Sequence, residues 1–209
     1  TVRDRESGEE LVVDNKYIMS PKDLCTVDFL DRFLDAGVRV LKIEGRARSA
    51  DYVKRVVECY DEALRAIEEG TYTPERAEQW KERLRTVFNR GFWGGYYMGA
   101  RAGEWSRTYG SSATVRKVYV GKVTNYFARI GVIELQVEAA PLSVGEPVFL
   151  TGETTGVVEF VVEEIRVALK PVQEAPQGVL CSIKVPTLIR RGDKLFKTVP
   201  SDEKADRNR

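Results

Sequence analysis

The hydrophobic positions in the first half of the chain change from a strand-like run to a helix-like pattern at about residue 20. Leu11 to Met19 is a short apolar run, and Ser20-Pro21-Lys22-Asp23 follows it directly. A serine N-cap, a proline at the first helical position and an acid in the first turn are typical of a helix start. We therefore predict a strand over 11–19 and then a helix to about Ala36, ended by Gly37.

A second strand and a second helix follow in the same order. Val38 to Ile43 forms the next apolar run, and Gly45 provides a turn before Ser49, which is a helix-capping residue. Apolar side chains then recur at helical spacing, at Tyr52, Val53, Val56, Val57, Tyr60, Ala63, Leu64 and Ile67. This spacing predicts a long helix that ends at Gly70.

A third helix is predicted from Thr73-Pro74-Glu75 to about Phe88, again with a threonine cap and a proline just inside. Strands and helices that alternate with short connections imply parallel strands joined by right-handed crossovers. Two parallel strands do not make a stable sheet alone. The first half is therefore expected to belong to a larger sheet or barrel, or to need a partner.

The pattern changes near residue 112, where helical spacing ends and short β-rich runs begin. The six candidate strands are Val115 to Val123, Ile130 to Val137, Pro147 to Leu150, Val157 to Val167, Val179 to Val185 and Lys194 to Thr198. Gly145 and Gly192 lie in turns between them, where a positive φ is expected. We predict an α+β chain with a βαβα domain at 1–112, a small closed antiparallel β-barrel at 113–199 and a charged, disordered tail at 200–209.

Composition narrows the class of protein. The chain has 209 residues, of which 43% are hydrophobic and 31% are charged, as in globular proteins. No apolar run approaches the ~18 residues of a membrane span, so we expect no membrane partner and a cytoplasmic location. The 33 basic and 32 acidic residues nearly cancel, which gives no overall basic field for nucleic acid.

The chain contains no histidine, which removes the commonest general base and metal ligand. Any proton chemistry must use Asp, Glu, Lys, Tyr or Cys. Cys25, Cys59 and Cys181 are far apart in sequence and form no C-x-x-C pair. They predict neither a disulfide framework nor a metal site, and we interpret them as buried thiols.

Charged side chains follow both predicted strands of the first half. Lys22 and Asp23 follow the first strand, and Glu44, Arg46 and Arg48 follow the second. In (β/α) folds the loops after the strands carry the active site. Both sets are therefore expected to open onto one face.

Lys42 and Glu44 alternate with Leu41 and Ile43 along the second predicted strand. This alternation would turn both charged side chains toward a barrel interior. There they would form either an ion pair that only secures the sheet or a pair that takes part in chemistry, because interior charges need partners.

The other charged candidates also have two interpretations. Arg46 and Arg48 are either solvated or hold an anionic or carboxylate group, because cations near a helix N-terminus oppose its dipole. Lys22 and Asp23 either belong to a helix cap with a solvated lysine or bind substrate. The aromatic stretch from Phe88 to Tyr97 would stack on nucleic-acid bases or, alternatively, anchor a loop against the barrel.

Four ordered motifs of the first half resemble the U32 peptidases, the collagenase-like proteases. They are Tyr17-Ile-Met-Ser-Pro-Lys-Asp-Leu24, Leu41-Lys-Ile-Glu-Gly-Arg46, Tyr52-Val53 and Phe88-Asn-Arg-Gly-Phe-Trp-Gly-Gly-Tyr-Tyr-Met-Gly99, with Ala36-Gly37-Val38 between the first two. In that family they form the last part of a TIM-like barrel and its extension. The resemblance implies a C-terminal portion whose peptidase signature and cluster-binding cysteines lie upstream.

This resemblance implies that the chain alone is inactive and that its first partner is the missing N-terminal part of the same protein. Any metal or iron–sulfur cluster would be held by the longer protein and not by this chain, and its identity stays unknown. We also expect self-association into a homo-oligomer through unpaired strand edges.

Three functions compete at this point. In peptide-bond hydrolysis, Glu44 would be the general base or a metal-site carboxylate, and Lys42 or Arg46 would stabilise the oxyanion. Lys22, Asp23, Arg46 and Arg48 would then bind substrate. Other proteins that resemble this one carry out oxygen-independent hydroxylation of tRNA, ribosomal RNA or a quinone precursor with an iron–sulfur cluster, where these cations would hold an anionic co-substrate.

The third candidate is a binding module in which the terminal barrel docks RNA or protein. Three short segments of the second half resemble the second-domain barrel of translation elongation factors. They are Val120-Gly-Lys-Val123, Val144-Gly-Glu146 and Arg191-Gly-Asp-Lys-Leu195.

Overall fold

The computed structural model describes residues 1–3, 5–6, 8, 10–11, 20–100, 103–106 and 110–201. It divides into two compact units, one made of 1–48 and 55–114 and the other of 49–54 and the chain from 115 onward. The fold is mostly β, with one large antiparallel sheet, and the described part contains three α-helices. The predicted tail at 200–209 lies outside the described residues beyond Ser201.

The described part of the first unit contains two pairs of short strands. Strand β1 (Val2–Arg3) pairs antiparallel with β2 (Glu10–Leu11). Strand β3 (Asp23–Leu24) pairs parallel with β4 (Phe92–Trp93). The strand predicted over 11–19 lies outside the described residues beyond Leu11.

The predicted start of the first helix, at Ser20, is wrong. Residues 20–25 are extended, because their backbone groups bond to two distant segments: the N–H of Ser106 donates to the Ser20 carbonyl at 2.8 Å and the N–H of Asp23 to the Gly91 carbonyl at 2.8 Å. A 3-10 turn at Val27–Phe29 leads into a shorter helix, α1 (Leu30–Asp35). Gly37, with a φ of +89°, follows its end as predicted.

The strand predicted over 38–43 is also absent from the structure. These residues belong to no helix or strand, and no neighbouring strand in the described ranges pairs with them. Val40 is consequently 84% exposed, and Lys42 and Glu44 are exposed as well. The expectation that Lys42 and Glu44 share a buried interior is therefore wrong here, since a strand needs a partner to define two faces.

The two longer helices begin where predicted. Helix α2 (Ala50–Glu68) ends before Gly70, which has a φ of +66°. Helix α3 (Pro74–Arg85) begins at its threonine cap, where the Thr73 hydroxyl accepts from the Arg76 N–H at 3.3 Å. Helix α3 ends three residues before the predicted Phe88, because the Thr86 N–H and hydroxyl both turn back to the Arg83 carbonyl.

The second unit is built on an eight-stranded antiparallel sheet. In chain order its strands are β5 (Val115–Phe127), β6 (Val132–Val137), β8 (Pro147–Gly152), β9 (Gly156–Val161), β10 (Ile165–Val167), β11 (Lys170–Val172), β13 (Leu180–Lys184) and β14 (Lys194–Pro200). Neighbours in the sheet follow the order β11-β10-β13-β6-β5-β14-β8-β9. The short strands β7 (Leu142–Ser143) and β12 (Glu174–Ala175) form a separate pair.

One apolar core fills the inside of this unit. Its fully buried members alternate along the strands, as with Ile133, Leu135 and Val137 on β6. All six predicted strands are present, although Val157 to Val167 is divided into β9 and β10 at Val162, whose N–H donates to the Glu146 carbonyl. Gly145 and Gly192 have φ values of +88° and +96°, as the predicted turns require.

Candidate functional site

The Asp23 carboxylate is the centre of a charged cluster in the first unit. One oxygen, Oδ2, accepts from the backbone N–H of Arg90 at 2.9 Å. The other, Oδ1, accepts from the Arg90 guanidinium at 3.1 Å and from the Arg48 guanidinium at 3.5 Å. The Asp23 side chain is 19% exposed, so both guanidiniums partner it at a site that is mostly withdrawn from water.

Local structure places each guanidinium. Arg48 lies over the Phe88 ring, with its central carbon 4.1 Å from the ring centroid, in a cation–π arrangement. Arg90 follows the buried Asn89, whose side chain bonds to the carbonyl of Val87 at 2.9 Å and to the N–H of Gly91 at 3.1 Å. These bonds fix the turn that leads into β4. Arg90 therefore lies beside Asp23, the first residue of the neighbouring β3.

Lys22 lies outside the Asp23 cluster and pairs with Glu104. Its ammonium bonds to Glu104 Oε2 at 2.5 Å, and its backbone N–H donates to the Glu104 carbonyl at 3.0 Å. Side chains alternate along an extended segment, so Lys22 and the adjacent Asp23 reach different partners.

Lys42, Glu44 and Arg46 lie on the exposed segment that leads toward Arg48. Glu44 Oε1 accepts from the backbone N–H of Arg46 at 2.8 Å, and the N–H of Arg48 donates to the Gly45 carbonyl at 3.0 Å. In the part of the chain that the structure describes, the ammonium of Lys42 and the guanidinium of Arg46 make no ion pair. These cationic groups and the exposed Glu44 carboxylate are therefore open to a ligand.

The structure brings together Asp23 and Arg48 from the predicted set, but it does not bring Lys22, Lys42, Glu44 or Arg46 into their cluster. Arg90 and Glu104 were not among the predicted site residues, and Phe88 was predicted only as part of the aromatic stretch 88–97. The motif containing Asn89-Arg90-Gly91 was visible in the sequence. Only the parallel pairing of β3 with β4 shows that Arg90 reaches Asp23.

The three cysteines are free and buried, which confirms their interpretation as buried thiols. Burial raises the pKa of Cys25, and it raises the pKa of Cys59 and of Cys181 to about 11. They are protonated near neutral pH. Within the described ranges no group of three or more Cys, Asp or Glu side chains could hold a metal ion. No described helix is both long and apolar enough to cross a membrane.

The motifs around this cluster decide the family. Residues 1–107 match the model of peptidase family U32, and this stretch contains Asp23, Glu44, Arg48 and Arg90. The chain belongs to peptidase family U32. The family predicted from the motifs is thereby confirmed.

Two relatives show how far the similarity extends in this U32 chain. It is 52% identical over 197 residues to a protein named collagenase from Porphyromonas gingivalis, covering 94% of this chain and 48% of that protein. It is 31% identical over 130 residues to a tRNA hydroxylation protein of Bacillus subtilis, covering 62% of this chain and 30% of that protein. The U32 chain thus spans about half the length of the collagenase it matches.

Two solved structures also match the U32 chain. One is described as the C-terminal domain of a U32 peptidase from Geobacillus thermoleovorans, with a TM-score of 0.36 at 18% identity over 38% of this chain and 90% of that one. The other is a bacterial selenocysteine-specific elongation factor, with a TM-score of 0.29 at 17% identity over 39% of this chain and 14% of that one. The expected likeness to elongation-factor barrels stays a prediction.

Proposed function

We propose that this chain is the C-terminal portion of a U32 peptidase that hydrolyses peptide bonds in protein substrates. The observation that carries the proposal is the 52% identity to a collagenase over 94% of the chain. Because the chain covers 48% of that protein, we assign the activity to a longer protein in which this chain meets an N-terminal part.

The exposed segment from Lys42 to Arg46 supplies the chemical groups in this proposal. Glu44 acts as general base toward a water, or as a carboxylate of a metal site, and Lys42 or Arg46 stabilises the oxyanion that forms on the attacked carbonyl. Their exposure supports this assignment, since a ligand reaches these groups without breaking an ion pair in the described part. Any metal or cluster in the longer protein has an unknown identity.

Asp23 has a different role in this proposal. Its carboxylate already accepts three hydrogen bonds from Arg48 and Arg90, so using it as a base would disrupt the cluster. We assign it to positioning Arg48, which binds the substrate beside Arg46. Lys22 contributes to substrate binding after release from Glu104.

The proposed fold of the longer protein gives residues 38–43 a strand partner. Exposed apolar side chains such as Val40 support this idea, since an unpaired segment leaves its apolar side chains in water. Pairing within a TIM-like barrel would set Lys42 and Glu44 on the same side of a strand.

The test compares this chain with the longer protein on collagen and on collagen-derived peptides. We expect cleavage by the longer protein and none by the chain alone, because a barrel active site needs groups from several strand ends. Robust cleavage by the chain alone would place the whole active site within these residues. Absence of cleavage by both forms would refute the peptidase proposal.

A second candidate function is iron–sulfur-dependent hydroxylation of tRNA or ribosomal RNA, with the β-barrel as an RNA- or protein-binding module. The observation that supports this second candidate is the match to a tRNA hydroxylation protein over 62% of the chain. Iron and sulfide analysis of the purified longer protein, with mass analysis of its cellular RNA, separates the two functions. Bound iron and sulfide with loss of an RNA hydroxyl on deletion, without peptide cleavage, would favour hydroxylation.

The remaining parts of the proposal concern location and assembly. Three free, reduced cysteines suit a cytoplasmic location. Peptide or RNA is the expected ligand, and self-association into a homo-oligomer remains open to sedimentation analysis.

A further inference from the structure

Four neighbouring strands of the second unit place polar side chains in one continuous row. In the register of the sheet, Lys194 on β14 lies opposite Thr151 on β8 on one side and opposite Lys122 on β5 on the other. Lys122 in turn lies opposite Gln136 on β6. Neighbouring strands are about 4.8 Å apart, so these four side chains, which we name the donor row, extend over roughly 15 Å.

The donor row faces outward. The residues next to its members in sequence, such as Leu150, Val123 and Leu195, are buried in the core, and side chains alternate between the two faces of a sheet. Lys122 and Lys194 are exposed. Neither ammonium makes an ion pair with any carboxylate of the described residues.

Two lysines directly opposite each other repel, and such pairs destabilise a sheet. The turn beside them adds Arg190 and Arg191, both exposed. Gly192 brings this turn close to the row, since a Cβ at Gly192 would lie 3.9 Å from Lys122 Cε. Four cations therefore occupy one part of the surface.

The carboxylates that lie near these cations neutralise them only in part. Asp193 is buried, and its Oδ2 accepts from the Thr155 hydroxyl at 2.6 Å and from the Arg190 N–H at 2.9 Å. Glu134 accepts from the Thr124 hydroxyl at 2.6 Å. Glu153 is a third carboxylate, exposed in the adjacent β8–β9 turn. The four cations outnumber these three carboxylates by one.

We propose that the donor row with Arg190 and Arg191 binds the phosphodiester backbone of a single-stranded nucleic acid. A chain of phosphates presents regularly spaced negative charges and acceptor oxygens, and the row offers two ammonium groups beside the Thr151 hydroxyl. The Gln136 amide at the other end of the row already donates to the Val137 and Val179 carbonyls at 3.5 Å. Guanidinium groups of the turn bind phosphate in the same way. The inference rests on the binding module of the second candidate function and names its site, and the binding test below does not require either reaction to take place.

The test is fluorescence anisotropy of a labelled oligouridylate of about 20 nucleotides with the whole chain, titrated between about 50 and 200 mM NaCl. We expect Lys122→Gln with Lys194→Gln to weaken binding about tenfold or more at the lowest salt and to reduce the salt slope by about 1.4. A DNA oligonucleotide of equal length distinguishes RNA from DNA as the source of the phosphates.

The matched control is Arg116→Gln with Lys170→Gln, which removes the same charge from two exposed sites outside the row. This control should change binding less than about twofold, and the thermal unfolding of both double variants should match the parent. Equal losses of affinity in the two double variants would show that binding depends only on the net charge of the chain, and would overturn the proposed site. No binding at the lowest salt, or competition by polyglutamate in place of oligonucleotide, would also overturn it.

Discussion

The charges around Asp23 in the first unit and those of the donor row in the second are arranged in opposite ways. Asp23 accepts hydrogen bonds from Arg48 and Arg90 and is largely withdrawn from water. Lys122 and Lys194 lie opposite each other in exposed positions. We expect the first arrangement to stabilise the folded chain and the second to destabilise it.

The difference separates charges that hold the structure from charges that can meet a ligand. A carboxylate whose oxygens are already bonded must lose those contacts before it can serve a substrate. Exposed groups that make no ion pair with the described residues, such as Lys42 and Lys194, would bind a ligand without this cost. Substitutions should therefore affect stability at the bonded sites and binding or activity at the open ones.

The largest stability effect is expected for Asp23→Asn. It removes the negative charge between two guanidiniums, and we expect a loss of about 2 kcal/mol in the free energy of unfolding of the first unit. All three tryptophans, Trp80, Trp93 and Trp105, lie in this unit. Urea unfolding followed by tryptophan fluorescence therefore reports on it directly.

Glu44→Gln is the matched control for this measurement, because it changes an exposed carboxylate of the same unit. It should change the same free energy by less than about 0.5 kcal/mol. Equal effects of the two substitutions would remove the distinction between the Asp23 carboxylate, which is paired with two guanidiniums, and the exposed Glu44 carboxylate, which accepts the Arg46 N–H.

A smaller effect is expected at Glu62, which joins α2 to α3. The hydrogen bond from Arg83 lowers the pKa of Glu62, with a further contribution from the Trp80 indole N–H at 3.0 Å. A lowered pKa in the folded state adds stability above the unfolded pKa of about 4.3, and this stability is lost as the pH falls through the folded value. Because the Glu62 side chain is 43% exposed, the contribution should stay below about 1 kcal/mol.

Tryptophan-monitored urea unfolding of the parent and of Glu62→Gln at several pH values measures this contribution. The parent should be the more stable protein at pH 6, and the difference should shrink below about pH 4. A difference that stays constant down to pH 3 would contradict the assignment to the Glu62 charge.

The smallest effect has the opposite sign. Lys122→Gln removes the like charge opposite Lys194 in the sheet register, so we expect the second unit to gain on the order of 0.3 kcal/mol. Hydrogen exchange of the backbone amides of Val123 and Leu195 measures this gain, with Lys170→Gln as the control. Slower exchange only in Lys122→Gln supports the repulsion, and faster exchange would contradict it.

Much of the second unit could be predicted from the sequence, because its strands carry their own signals. Alternating side chains on β6 and glycines at the turns with Gly145 and Gly192 report local conformation directly. The short strands β7, β11 and β12 were missed because two or three residues carry too little alternation to identify a strand.

The first unit was predicted less well, because distant contacts override its local signals. Ser20-Pro21 is typical of a helix start, yet Ser106 and Gly91 hold the segment extended. Residues 38–43 have the apolar pattern of a strand but no partner strand in the described ranges. The Asp23–Arg90 contact joins residues 67 positions apart, and no spacing rule in a single sequence identifies such a pair.

The most direct test of the separation between bonded and open charges is cleavage of a collagen-derived peptide by the longer protein carrying Glu44→Gln. We predict a loss of activity of about 100-fold or more, because our proposal makes the exposed Glu44 carboxylate the general base, with unfolding unchanged. Glu69→Gln, at another exposed position, should retain full activity. Full cleavage by Glu44→Gln, under conditions where the parent is active, would contradict the account.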